Sequence, residues 1–554
     1  MGVILSGPKR AMALTMRSSL ARAVIGTLCV LLFLMALMRT DRVPVRNRIF
    51  TKTGIKAPSP VHQRPPSMDD ANADHVQVPI IVGGASFDMN CSTDASHLAE
   101  IKQRYSLDDK FQYMKRYVRF HRTAGLERKP MTRLHQKLLD GSDAFKTIDL
   151  ARPQALDTSC AAPLEVQVPA SGLPSTVNAS DFMFSVSTTY QRLMDSSTAA
   201  MNEWVFWLTD GRGHSNGGKL LLMLLNAGDD ELQEVANMLG DVGIDVDVYH
   251  SDSTVEMAVR YLTLVPTLYT HSESNTKKWL VLCDDDTFFP NMHLLIERFR
   301  KFDHTSDMYI GTLSEDVGAI ERHGSQAFGG GGVFLSRPLA EKVTDKYSSC
   351  SSNQKILESN TGWGPQGDIL LRKCIYENTE TRLTALWDLW QLDINGDPSG
   401  FYEWGIQPLS LHHYRGGGWH KAKPAQYAKI AHTCGEACIL QRFQTNDDYI
   451  ISGYSVAHYP EGINFDTNQV EGTLYAAPEN KGWNLDFMLG PQRQSLEKTG
   501  RKIAWEMQES EILSDGSVLQ TFTRKKDDGR WTKKDGQAMS NIDGVIELVW
   551  IPSQ

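Results

Sequence analysis

The 554-residue sequence predicts an α/β fold with a mostly parallel central sheet, continued by a β-rich C-terminal extension. Three observations carry that prediction. From about residue 181, short apolar runs of strand length alternate with helical stretches, the pattern that builds a parallel sheet. After about 440 the texture turns to strand-like runs parted by Asp-Gly turns. The composition, 41% apolar and 22% charged, leaves ample material for a large core, and no solenoid-type repeat is visible.

The elements follow in chain order. Asp181–Thr188 reads as a buried strand, with a helix starting near Tyr190. Trp204–Thr209 reads as a second strand, Ile244–Tyr249 as a third and Lys278–Cys283 as a fourth. Helical stretches over Asp230–Leu239 and Thr254–Leu262 separate them. In the extension, Tyr449–Tyr459 has strand composition. Asp515-Gly516 and Asp528-Gly529 read as hairpin turns, and Val545–Ile551 as a last strand. Before the α/β region, residues 79–175 show short apolar pieces and one helix around His97–Phe120.

The only long apolar run is Ala23–Met38, bounded by Arg22 and Arg39. At helical rise it spans about 24 Å, which suits a thin bilayer with snorkelling arginines. No small-residue cleavage site follows it, so it reads as an uncleaved signal anchor. The organisation expected is a cytosolic tail (1–22), the anchor (23–38), a flexible Pro-rich stem (39–78), an accessory region (79–175), a catalytic domain (176–439) and the β-rich extension (440–554). With 57 Lys and Arg against 66 Asp and Glu, the net charge is −9. A chain with no long basic stripe is not built to bind nucleic acid.

Two sequons, at Asn90 and Asn178, are candidate glycosylation sites. Of eight cysteines, Cys29 falls in the anchor and Cys283 ends an apolar strand, so both read as free. Cys91, Cys160, Cys350, Cys374, Cys434 and Cys438 form an even set compatible with disulfides, with fifteen pairings open. Cys434 and Cys438 have no further Cys or His at finger spacing, which disfavours zinc.

The sharpest chemical signal is Asp284-Asp285-Asp286, directly after the fourth apolar run. In an open α/β sheet, ligands bind beyond the carboxyl ends of the strands. Three adjacent carboxylates repel one another unless a cation neutralises them, and hard oxygen donors select Mg²⁺ or Mn²⁺. Such an ion suits a diphosphate ligand. Three further pieces follow. Gly329–Gly332 strip every Cβ from one turn, Asp368 opens a helix after a Gly/Pro turn, and His412-His413 end a strand. Either histidine could complete a metal's coordination.

In this order the pieces resemble the inverting β-1,3-glycosyltransferases of family 31, the Fringe and core-1 galactosyltransferase group, and most of all its fungal branch. The resemblance covers about 181–420 and rests on SVSTTYQRL, WLVLCDDDTFF, FGGGGVFLS, WGPQGDILLRKC and LSLHH, with GYSVAHYP beyond. It implies a GT-A-type nucleotide-sugar-binding fold, a type II Golgi or ER membrane protein, and a UDP-sugar donor used with Mn²⁺, or Mg²⁺ in its place. The acceptor would be a glycan or glycoprotein hydroxyl. Carried onto this chain, Asp286, Asp284 and His412 would ligate the metal, with His413 the alternative to His412. Asp284 and Asp285 would hold the ribose and metal-bound waters, and Gly330, Gly331, Gly332 and Trp363 would line the substrate. Asp368 would be the general base. Cys350 and Cys374 would pair, as in the core-1 enzymes, with Cys434 and Cys438 a second candidate pair. The family often has a second acid before the base, and here that position is Gly367. The competing reading is an inactive Fringe-like glycan-binding or scaffold protein.

Overall fold

Burial decides which runs become the central sheet. The computed structural model describes residues 61–63, 89–92, 95–139, 145–152, 160–195, 200–476 and 485–553. Its central strands are Phe182–Thr189, Lys219–Leu225, Asp245–His250 and Trp279–Leu282, mutually parallel. Val333–Ser336 runs antiparallel to Trp279–Leu282, and Tyr309–Gly311 antiparallel to Val333–Ser336. Numbered from Phe182–Thr189, these six strands lie in the order 3-2-1-4-6-5. The central sheet is thus mostly parallel, with Val333–Ser336 its antiparallel member among these six. Alternate residues feed two separate cores, as strand periodicity requires. Phe182, Phe184, Val186, Leu220 and Val281 pack with Trp204, Trp207 and Leu232 on one face. Met183, Leu221 and Leu280 pack on the other with Leu262, Val343 and Leu371.

The sheet's order reverses between Phe182–Thr189 and Trp279–Leu282. That reversal leaves a crevice at their carboxyl ends. The site is built there.

Several expectations need correction. Trp204–Thr209 is not a strand but the end of the helix Ala200–Leu208. Trp204, Trp207 and Leu208 fall at i, i+3 and i+4 and are all buried, and the Phe184 and Trp207 rings meet at 4.9 Å. The true second strand is Lys219–Leu225, an almost unbroken leucine run. The helix read over His97–Phe120 spans only Ala95–Arg104. Ser106 then takes a left-handed φ of 51°, and the chain enters the strand Lys110–Thr123.

That strand belongs to a ten-stranded sheet that also contains the C-terminal strands. Lys110–Thr123 lies parallel to Asp543–Pro552, so the accessory region and the extension share one sheet. Asp515-Gly516 turns the hairpin between Ile503–Ile512 and Val518–Arg524, with Gly516 at φ 83°. Asp528-Gly529 instead lies in a longer loop before Asp543–Pro552. The Tyr449–Tyr459 run divides into Tyr449–Ile451 and Ser455–His458. Within the Pro-rich stem, Val61–Gln63 pairs with the edge strand Asp245–His250, using backbone groups an edge leaves open.

Disulfides join Cys91 to Cys160, Cys350 to Cys374 and Cys434 to Cys438, while Cys283 is a buried thiol. The anchor run 23–38 and Cys29 lie outside the described residues. Among the described residues no helix is long and apolar enough to cross a membrane.

Candidate active site

The acidic triplet is held as a turn before any ligand is considered. Asp284 N–H donates to Thr287 Oγ1 at 3.0 Å, and Thr287 Oγ1 donates to the Gly330 carbonyl at 2.8 Å. Thr287 therefore pins the acidic turn to the glycine turn. Opposite, Phe288 and Leu411 exchange backbone hydrogen bonds at 2.9 and 2.8 Å, which brings the next residue, His412, over the carboxylates. His412 Nε2 lies 3.0 Å from Asp286 Oδ1 and 3.4 Å from Asp284 Oδ2. One ligand atom from each of Asp284, Asp286 and His412 fits within 4.8 Å of the others.

The two residues left open at this point separate cleanly. His413, at φ 49°, turns away to bond Asp393 at 2.7 Å and stack on Trp419 at 4.5 Å. Asp285 is buried beneath the cluster, where Arg192 grips both its oxygens at 2.6 and 2.8 Å and Thr188 donates a further bond. It also lines the larger of the clefts described below, with its oxygens already engaged by Arg192 and Thr188.

Only part of the glycine turn reaches the cleft. A Cβ on Gly330 would stand 2.1 Å from the His412 ring, so this glycine admits the histidine to the cluster. Gly331 packs on Thr312, and its N–H donates to Gln391 at 2.9 Å. Gly332 packs on Phe334. Gly331 and Gly332 hold the turn's shape and do not line substrate space.

Two clefts meet at the cluster and share Asp284, His412, His413 and Trp419. One, of about 600 Å³, is walled by Ser187, Thr189, Arg192 and Arg415. The other, of about 430 Å³, is walled by Gly330, Tyr261, Asp368 and Trp363. Asp368 sits in the first turn of the helix Gly367–Asn378 and accepts a bond from Ile369 N–H at 2.8 Å. Trp363 is 63% exposed at the mouth, with Arg322 5.8 Å above its ring. Gly367 has its own reason: a Cβ there would come within 2.4 Å of Tyr261.

Charge is unevenly settled around this junction. Burial, with Asp286 and Asp285 nearby, pushes Asp284 up to about 6. Burial also opposes ionisation of Asp286, yet His412 and Arg415 hold it well below the usual carboxylate range. Burial disfavours the His412 cation, but Asp286 and Asp284 outweigh it and raise the imidazole. Two crowded carboxylates and one imidazole are a fitting donor set for a divalent cation such as Mn²⁺ or Mg²⁺. Asp368 is pushed up to about 6 by burial, with Asp284 adding to it.

Residues 228–390 match the family model described as Fringe-like. This stretch is a Fringe-like domain. The chain is 27% identical over 188 residues to the β-1,3-N-acetylglucosaminyltransferase lunatic fringe of Xenopus laevis, covering 30% of this chain and 43% of that protein. It is 31% identical over 129 residues to radical fringe of the same organism, covering 21% and 35%. The chain thus spans less than half the length of these curated relatives. Among solved structures, the galactosyltransferase LgtC with donor and acceptor sugar analogs superimposes at a TM-score of 0.31, with 9% identity over 45% of this chain and 93% of that one. The mannosyltransferase PcManGT of Pyrobaculum calidifontis, in complex with GDP-Man and Mn²⁺, gives 0.25, with 12% identity over 39% and 57%. Superposition at these values assigns nothing by itself.

The Fringe-like domain contains Asp284, Asp286, Gly330, Trp363 and Asp368, while His412 and both site arginines lie outside it. Sequence reading missed Arg192, Arg415, Thr287 and Tyr261. Arg415 follows the His pair by two residues, and its Nη2 reaches Glu203, a residue of the helix first read as a strand. Arg192 was visible only as part of a strand-to-helix motif. Neither carries a spacing signal, since their partners are distant in sequence.

Proposed function

We propose that the protein is a metal-dependent, inverting glycosyltransferase. It moves a hexose or N-acetylhexosamine from a UDP-sugar to a glycan or glycoprotein hydroxyl, in β-1,3 linkage. One observation carries this reading: Asp284 and His412 of the Asp284–Asp286–His412 cluster border the same cleft as the desolvated Asp368. The β-1,3-N-acetylglucosaminyltransferase activity that names the two fringe relatives supports the same class.

Asp284, Asp286 and His412 would hold the cation, which when bound offsets diphosphate charge and makes UDP a better leaving group. Arg192 and Arg415 line the larger cleft and supply fixed positive charge for the same diphosphate. Arg415 keeps its Nε and Nη1 without a hydrogen-bond partner, although both are buried, so it has donors to offer. On the other side Asp368 accepts the proton of the acceptor hydroxyl. The freed oxygen attacks the anomeric carbon from the face opposite UDP, the bond to the diphosphate breaks, and configuration inverts. One base suffices, because the departing diphosphate needs no protonation once its charge is offset. Trp363, exposed at the mouth, offers a flat face for an acceptor sugar.

The reading includes a type II anchor at 23–38 and a catalytic region in the Golgi or ER lumen. Three disulfides support an oxidising compartment. The test is UDP release by the full-length chain across UDP-galactose, UDP-N-acetylglucosamine and UDP-glucose, with Mn²⁺ or EDTA. Release from one donor, abolished by EDTA, is expected. Silence with every donor, together with no Mn²⁺-dependent UDP binding, would favour the scaffold reading.

A further inference from the structure

One polar group at the cleft has no role in the mechanism above. Tyr261 lies on the helix Met257–Thr270 and lines the 430 Å³ cleft beside Asp284, Gly330 and Asp368. Its hydroxyl is buried and has no hydrogen-bond partner. An unpaired buried hydroxyl is a penalty that folded proteins seldom keep without a use. Here the fold makes room for it twice. A Cβ at Gly329 would stand 2.8 Å from Tyr261 Oη, and one at Gly367 would stand 2.4 Å from Tyr261 Cβ. The ring is thus seated between the glycine turn that admits His412 and the start of the helix that carries Asp368.

The phenol also feels both carboxylates without bonding either. Burial first, then Asp284 and Asp368, raises it well above its ordinary value, so it stays protonated and acts as a donor. In a single displacement the anomeric carbon must lie between the leaving oxygen, on the cluster's side, and the acceptor oxygen, on the Asp368 side. Tyr261 lines the cleft that both groups border, and both Asp284 and Asp368 act on it. We propose that the Tyr261 hydroxyl donates a hydrogen bond to a hydroxyl of the transferred sugar, making Tyr261 a residue on which donor affinity and donor choice depend. This rests on the UDP-sugar reading above.

The experiment is calorimetry on the full-length chain with Mn²⁺, comparing wild type and Tyr261→Phe against UDP and against each UDP-sugar of the panel. Tyr261→Phe is expected to bind UDP as the wild type does and to bind the preferred UDP-sugar about 3- to 10-fold more weakly. With UDP-sugars lacking one hydroxyl, the wild type should lose that same factor for a single deoxy position, and Tyr261→Phe should lose nothing further there. Gly329→Ala, which crowds the hydroxyl without removing it, should reproduce the sugar-specific loss. Equal UDP-sugar affinity in wild type and Tyr261→Phe overturns the proposal alone. So does a change confined to the pH profile of transfer, which would mean Tyr261 acts through Asp368, or a loss that extends equally to UDP. No UDP binding by the wild-type chain overturns the donor-site reading and this inference together.

Discussion

The two walls of the central cleft hold carboxylates that resist ionisation alike and differ in what relieves them. On one wall Asp284 crowds against Asp286 and Asp285, with His412 3.4 Å away. On the other, Asp368 is held by backbone bonds alone and makes no ion pair among the described residues. Burial pushes both up to about 6. On the function proposed above, a divalent cation would relieve the first wall and a proton the second. A shifted carboxylate is thus not a role in itself, and its neighbours decide whether it holds a metal or moves a proton.

The largest effect should come from breaking the first wall. Asp286→Ala is expected to abolish Mn²⁺-dependent UDP binding by calorimetry, and metal-dependent binding at wild-type strength would move the metal site elsewhere. Breaking the second wall should spare binding and stop chemistry. Asp368→Asn should bind the UDP-sugar normally while transfer to acceptor falls by about 10²–10⁴. An Asn variant that still transfers would remove Asp368 as the base. The same substitution should raise thermal stability, because the folded state bears the cost of ionising Asp368. With the folded carboxyl near 6 and an unfolded one near about 3.9, that cost is fully present above the first value and gone below the second. A gain of about 1–3 kcal/mol is therefore expected at neutral pH, vanishing by about pH 4, on thermal melts at both values. The mildest test leaves the protein intact. Transfer by the wild type should fall on the acid side with a midpoint near 6, and a rate that holds flat down to pH 4.5 would separate the base from Asp368.

How far the sequence could be read follows the range of the interactions involved. Asp284, Asp286 and Asp368 were legible because each follows a local signal, an apolar run or a Gly/Pro turn. His412 was legible as one of a pair, and choosing it over His413 needed the Asp393 and Trp419 contacts. For Asp285, adjacency in sequence does not reveal that Arg192 and Thr188 take up its oxygens. Trp204–Thr209 deceived because five apolar and aromatic residues and a threonine fit either period, and only packing against Phe184 and Phe289 selects the helix. Tyr261 had no signal at all, since a tyrosine in an amphipathic helix reads as core.

The parallel pairing of Lys110–Thr123 with Asp543–Pro552 has a consequence in time. Phe111 and its partner Asp543 are about 430 residues apart. At a synthesis rate of about 5–20 residues per second, the first strand waits roughly 20–90 s for its partner to be made. Throughout that interval one face of its backbone offers unpaired N–H and C=O groups to any other chain nearby. The Fringe-like domain lies wholly between the two strands, so it is translated while the ten-stranded sheet is still open. Nascent chains caught in that window would be the ones most in need of a chaperone.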